Sequence, residues 1–225
     1  MTKPPTVVVA LPGDNFSGQF LKNWTITMME LAKRYEVIIM NEQSSFIPFG
    51  RMKTLGLSTL RGVDQKPFNG RHFDVWMTID SDQVFIPEQV IELIEDCLHK
   101  HPCVSGLYKM IDQTHFACVA KWDTNYFKKY GNFKFLREDD IVGAPKYMKV
   151  AYNGMGFFAC RKEVLYKMKY PYFNWPLQEF IKDDGKKIVE MVSEDVAFCK
   201  NVKKAGFDVM IKPSLIVGHL KSLVI

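Results

Sequence analysis

The sequence predicts an α/β fold, a single compact domain with a mostly parallel central sheet flanked by helices. Three observations predict it. Residues 6–11 and 73–79 are continuous apolar runs, rich in Val and Ile, that suit strands buried on both faces. Residues 16–34 and 87–100 carry apolar positions at helical spacing. These patterns alternate as βαβαβα over the first hundred residues, the arrangement of a parallel sheet covered by helices.

Taken in order, the strand at 6–11 is broken by Pro12, Gly13, Asp14 and Asn15. The first helix follows, with apolar residues at 20, 21, 24, 28 and 31, and 35–40 is a second strand. Pro48 and Gly50 lead to Arg51 and a short helix ending near 60, and 62–71 reads as a polar loop. The central strand 73–79 runs straight into Asp80-Ser81-Asp82. Pro87 suits the first turn of the next helix.

The second half changes character. Residues 103–108 and 116–120 read as strands, and 122–145 as a loop-rich, aromatic and charged stretch. In 150–158, Gly154 and Gly156 flank Met155, which signals close backbone approach or positive φ; a bulged strand explains the pair equally well. A short helix at 161–168 and an aromatic loop at 171–176 come next. Ser193 then N-caps a helix whose first turn holds Glu194 and Asp195, and capping alone accounts for two acids there. Gly206 ends that helix, 207–211 is a strand, and 215–217 leads into Gly218-His219-Leu220-Lys221.

Composition excludes several classes. With 47% apolar and 24% charged residues the chain is an ordinary globular one. Its 30 basic and 25 acidic residues are dispersed, so no nucleic-acid surface is expected. Five cysteines, with no Cys-x-x-Cys pair, read as buried free thiols in a reducing compartment. No apolar run approaches a membrane span, and the first residues are not a signal peptide, so a cytoplasmic location is expected. Neither Gly-x-Gly-x-x-Gly nor a phosphate-binding Gly-Lys-Ser/Thr loop occurs.

Side chains two apart on an extended chain share a side, so Asp80 and Asp82 are expected to converge. Paired carboxylates suit a hard cation, Mn²⁺ or Mg²⁺, which in turn suits a diphosphate. By itself Asp-x-Asp is as readily an acidic turn, and a single late histidine such as His219 is more often structural than a ligand.

Five features in order, namely Asp-x-Asp after a buried strand, Gly106-Leu107-Tyr108, Asn153-Gly154-Met155-Gly156-Phe157, Ser193-Glu194-Asp195 and Gly218-His219-x-Lys221, resemble the GT-A-fold glycosyltransferases. The resemblance runs from Val7 to Lys221. It implies a Rossmann-like sheet, a UDP-sugar donor, Mn²⁺ or Mg²⁺, and a glycan acceptor. The compactness and short leader are also similar to small chlorella-virus enzymes that build capsid glycans, which would place the chain in host cytoplasm.

Carried over residue by residue, the resemblance makes Asp82 the direct metal ligand, Asp80 a ligand of ribose or of the metal's water shell, and His219 the late metal ligand. Ser81 lies between the two acids. Lys221 would face the diphosphate. Leu11, Pro12, Gly13 and Asp14 would hold the uridine, and Arg51 would open a helix beside the nucleotide sugar. Asn153, Gly154, Met155 and Gly156 would border sugar and acceptor. Glu194 and Asp195 would lie near the acceptor hydroxyl, with Asp195 the base if the enzyme inverts, or the pair positioning if it retains. Residues 1–100 would then form a nucleotide-binding half and 101–225 an acceptor-binding half of one domain, 1–225. Two other readings stand beside this one. One is a haloacid-dehalogenase-type phosphatase with Asp80 as nucleophile, and the other a nucleotide-sugar binding module without catalysis.

Overall fold

The alternation of buried side chains along two central strands divides the core in two. In the computed structural model, which describes residues 3–221, β1 (Thr6–Pro12) and β3 (Val75–Ile79) are nearly fully buried. Val8, Ala10 and Trp76 point to one side of the sheet, and Val7, Val9, Val75, Met77 and Ile79 to the other. That is the period of two expected of strands covered on both faces.

The remaining strands are β2 (Glu36–Glu42), β4 (Gln83–Val84), β5 (Cys103–Leu107), β6 (Cys118–Val119), β7 (Met148–Val150), β8 (Tyr152–Asn153) and β9 (Phe157–Arg161). They continue with β10 (Leu177–Ile181), β11 (Lys187–Met191), β12 (Val209–Ile216) and β13 (Gly218–His219). The helices are α1 (Gly18–Leu31), α2 (Ile47–Thr54), α3 (Pro87–His99), α4 (Thr124–Tyr130), α5 (Lys162–Lys167) and α6 (Glu194–Lys204).

Seven strands form the central sheet in the order β2-β1-β3-β9-β5-β12-β7. β1 pairs in parallel with β2 and β3, and β5 with β12; β9 and β7 run against their neighbours. The sheet is therefore mixed, mostly parallel in strand direction. The sequence pattern accounts for the parallel part and does not foresee β9 inserted, reversed, between β3 and β5. α1 and α3 cover one face through Phe20, Leu31, Val90 and Ile94. α2, α5 and α6 cover the other through Met52, Val164, Phe198 and Val202.

Ser193 caps α6 as the sequence implies, its Oγ accepting the Val196 N–H at 3.4 Å. Ser17, not foreseen as a cap, accepts the Phe20 N–H at 3.0 Å and starts α1 at Gly18. Pro87 sits in the first turn of α3. In the stretch read as loop, Asp123 caps α4 and Gly131 ends it in the left-handed region. The hairpin β10–β11 had no sequence expectation. All five cysteines are buried and free. No helix among the described residues is long and apolar enough to cross a membrane.

Candidate functional site

The site lies where β1 and β3 end. An open cleft of roughly 590 Å³ is lined by Pro12 and Gly13 from the first strand end, Arg51 from α2, and Asp80, Ser81 and Asp82 after β3. Carboxyl ends of parallel strands are where α/β sheets take ligands. Gly13 has φ +139°, a conformation side chains resist, and it packs against Ser81.

Two of the residues expected to hold uridine fall away from the cleft wall. Leu11 is buried in the core, and Asp14 is exposed outside the lining. Sequence reasoning missed Glu42, Ser44 and Ile47, which line the opposite wall. It also missed Asn41, whose amide donates to the carbonyls of Leu11 (2.9 Å) and Gly13 (2.7 Å) and so fixes the turn. None of the four carries a motif; Asn41 and Glu42 arrive through the pairing of β1 with β2, and Ser44 and Ile47 on the segment that leads from β2 into α2.

Arg51 corrects another expectation. The helix opens at Ile47, with Pro48 in its first turn, so Arg51 sits inside α2 instead of opening it. Pointing inward, it is 4% exposed. Its guanidinium grips Asp80 through two parallel bonds of 2.9 and 3.0 Å, and its Nε lies 3.4 Å from Glu194 and 3.5 Å from Asp195. Burial works against the charge, but Asp80 and Asp195 outweigh it and keep the arginine charged. Trp175, also unforeseen, donates its indole N–H to Glu194 at 3.3 Å. One arginine thus ties three carboxylates from the end of β3 and the start of α6.

Asp80 and Asp82 do not share one point, which corrects the expected convergence. The Gln83 N–H bonds back to the Asp80 carbonyl at 3.1 Å, an i to i+3 turn, so the extended period of two ends at Asp80. Both Asp80 oxygens go to Arg51. That engagement ties Asp80 down and disfavours it as a phosphatase nucleophile, while each oxygen keeps a second lone pair.

Asp82 takes separate partners from the C-terminal segment. β13 pairs with β4, and the Leu220 N–H bonds to the Asp82 carbonyl at 2.7 Å. This brings His219 Nε2 to 3.0 Å and Lys221 Nζ to 2.6 Å from Asp82 Oδ2. Burial alone would raise the Asp82 carboxyl; the bonds from His219 and Lys221 outweigh it and hold the group well below the usual carboxylate range. His219 Nδ1 lies 2.6 Å from the Lys109 carbonyl and must donate, because a carbonyl only accepts. Nε2 therefore faces Asp82 and needs a shared cation, a proton or a metal, between two electron-rich atoms. Among the described residues no group of three or more His, Cys, Asp or Glu is disposed to hold a metal. The expected trio of Asp80, Asp82 and His219 reduces to the pair Asp82 and His219.

The Asn153–Gly156 stretch lies beneath the site. Asn153 is buried and spends its amide on Ser105, Gly106 and Gly154. Met155 is fully buried, yet its N–H donates to Asp195 Oδ2 at 3.2 Å. Neither glycine has positive φ; both allow close approach to Tyr108. A Cβ on Gly154 would lie 2.0 Å from the Tyr108 hydroxyl, and one on Gly156 3.0 Å from its ring. Tyr108 is itself buried and receives the Gly156 N–H at 3.2 Å, so it cannot swing away freely. Gly154→Ala is expected to cost about 1–3 kcal/mol by overpacking. Urea denaturation checks this, and an unchanged midpoint would show that Tyr108 yields.

Asp195 ends this chain of contacts. Its side chain is 15% exposed, and its Oδ1 lacks a hydrogen-bond donor. Burial, with Glu194 and Asp80 nearby, outweighs Arg51 and the Met155 N–H and pushes the carboxyl up to about 7. Such a group can hold or release a proton near neutrality.

No protein-family model matches the chain, and no curated protein matches it. Among solved structures it is similar to A197 from STIV, at 15% identity and TM-score 0.51, over 97% of this chain and 96% of that one. It is also similar to glucosyl-3-phosphoglycerate synthase from Mycobacterium tuberculosis in complex with Mg²⁺ and UDP, at 15% identity and TM-score 0.46, over 97% and 73%. A third likeness is to the inositol-1-phosphate CTP transferase from T. maritima, at 12% identity and TM-score 0.45, over 98% and 91%. At such identities the first likeness shows fold alone, and the weaker two carry no argument. The chain is a mixed α/β domain with an acidic, arginine-tied cleft at its strand ends.

Proposed function

We propose that this chain is a metal-dependent glycosyltransferase that moves a sugar from a UDP-sugar to a hydroxyl of a glycan or other acceptor. The observation that carries it is the return of His219 and Lys221, 137 and 139 positions downstream, onto Asp82 at the end of the central strand. That is the union of residues the GT-A resemblance requires.

The donor set fits a hard cation. Asp82 and His219 would hold Mn²⁺ or Mg²⁺, and the Nδ1–H bond to a backbone carbonyl orients the imidazole as ligating histidines are usually oriented. Bound there, the metal would neutralise charge developing on the departing diphosphate. The chain's own residues supply the rest. Lys221 has the reach to turn from Asp82 to the same diphosphate. Arg51 fixes Asp80 and the α6 acids against the strand ends. If transfer inverts, Asp195, whose Oδ1 lies buried 3.5 Å from Arg51 Nε, would take the proton of the acceptor hydroxyl as that oxygen attacks the anomeric carbon and UDP leaves. If it retains, Glu194 and Asp195 would position the reacting groups. The two-pronged Arg51–Asp80 bond argues against the phosphatase alternative.

A screen of UDP-sugars by thermal shift, with and without Mn²⁺, tests the reading. Stabilisation by at least one UDP-sugar only when Mn²⁺ is present is expected, and none in any combination would overturn it. Asp82→Ala is expected to abolish Mn²⁺-dependent UDP binding. His219→Ala should weaken UDP affinity in calorimetry while leaving the ligand-free melting temperature nearly unchanged. The reverse pattern, a lower melt with intact affinity, would remove His219 from the site.

A further inference from the structure

A second cleft, of roughly 650 Å³, lies against the other side of α2 and shares Ser44 with the first. Its floor is apolar, from Phe49, Met52, Leu57 and Tyr170, while Lys53, Ser58 and Thr59 give it a polar rim. One helix serves both clefts: α2 sends Arg51 into the first and Phe49 and Met52 into the second. The aromatic loop after α5 places Tyr170 in the second cleft, and its Trp175 bonds to Glu194, a neighbour of Arg51.

An aromatic cluster adjoins Phe49 of the second cleft. Phe46 packs edge-on against Trp175 with centroids 4.2 Å apart and against Phe49 at 5.0 Å. Phe46 is 37% exposed, Ile47 54% and Phe49 51%. Neighbouring large apolar side chains left in water beside a polar cleft are a feature of binding grooves.

We propose that the second cleft is the aglycone subsite of the acceptor: it takes the alkyl or aryl portion of an amphipathic glycoside whose sugar reaches past Ser44 into the first cleft. The inference rests on the glycosyltransferase reading and narrows its acceptor from any hydroxyl compound to a glycoside with an apolar tail. The continuity through Ser44 and α2 and the apolar floor under a polar rim select this occupant. A free sugar would leave the floor uncovered, and a polar polymer would find few partners on it.

Calorimetry with n-octyl β-D-glucopyranoside, below its micelle concentration, and methyl β-D-glucopyranoside tests the idea, with UDP titrated separately in the presence of Mn²⁺. Burying the alkyl chain should make octyl glucoside bind about tenfold or more tightly than the methyl compound. Phe49→Ala, at a half-exposed position, should erase that preference and leave UDP affinity unchanged. Thr59→Trp, filling the cleft from its exposed rim, should do the same. Equal affinity of the two glycosides, binding of neither, or a preference that survives in both variants would overturn the subsite. Normal UDP binding with no octyl preference defeats this proposal alone. An octyl preference without any UDP binding defeats the glycosyltransferase reading, and the acceptor role of the cleft with it.

Discussion

Arg51→Met is expected to destabilise the fold by about 3–5 kcal/mol, because it leaves buried carboxylates without their counter-charge. Arg51 is nearly inaccessible and touches Asp80, Glu194 and Asp195 at 2.9 to 3.5 Å. Methionine preserves much of the volume, so the loss reports charge and hydrogen bonding more than a cavity. For a domain of this size the melting temperature should fall by roughly 10 °C. Arg51→Lys should recover only part of it, since an ammonium cannot reproduce the two-pronged grip on Asp80. Urea denaturation of both variants decides the matter. A loss under about 1 kcal/mol for Arg51→Met would mean that the acids are already neutralised by protons or solvent.

Asp195→Asn should lower sugar transfer, or slow hydrolysis of whichever UDP-sugar binds, by about 10²- to 10⁴-fold while leaving UDP affinity unchanged. The asparagine oxygen can still accept the Met155 N–H, so the change removes the proton acceptor together with one of the three charged contacts of Arg51. With the carboxyl raised to about 7, wild-type activity should climb as pH rises through that value, and the rising limb should vanish in the variant. Stability carries the opposite sign. A carboxyl raised above its ordinary value destabilises the fold when ionised; that cost is absent at low pH and complete above about 7. Asp195→Asn is therefore expected to be more stable than wild type at pH 8, with the advantage shrinking toward pH 4. Unchanged kinetics with a flat pH profile would remove Asp195 from the chemistry and leave it an acid in the first turn of α6.

The two predictions differ in how far the sequence announces them. Asp195 stands in a visible pattern, Ser193-Glu194-Asp195 before an apolar-periodic run, and the structure gives Ser193 the cap and turns both acids toward Arg51. Arg51 carries no comparable signal. Its neighbours Pro48 and Gly50 suggest the entry to a helix, and only the α2 start at Ile47 shows it one turn inside, facing inward. The reading of Asp80 and Asp82 fails for a local reason. A period of two holds only while the chain stays extended, and a turn bond from Gln83 ends it at the first aspartate. Gly154 and Gly156 are legible as close-approach positions, but the approaching group is Tyr108, from a strand 46 residues or more away in sequence.

By itself the sequence determined what depends on near neighbours: the buried strands β1 and β3, the cap of α6, the free buried cysteines, and the acidic end of the central strand. Burial on both faces, capping and turn breaking are written in residues a few positions apart, so one chain suffices to read them. Tertiary structure alone decided the reversed insertion of β9 between β3 and β5, and the partition of the acids into one group on Arg51 and another on His219 and Lys221. It also decided the pairing of two clefts across α2. Those features join residues far apart in sequence. Which carboxylate meets which cation there is set by the order of strands in the sheet and by the long-range antiparallel pairing of β13 with β4.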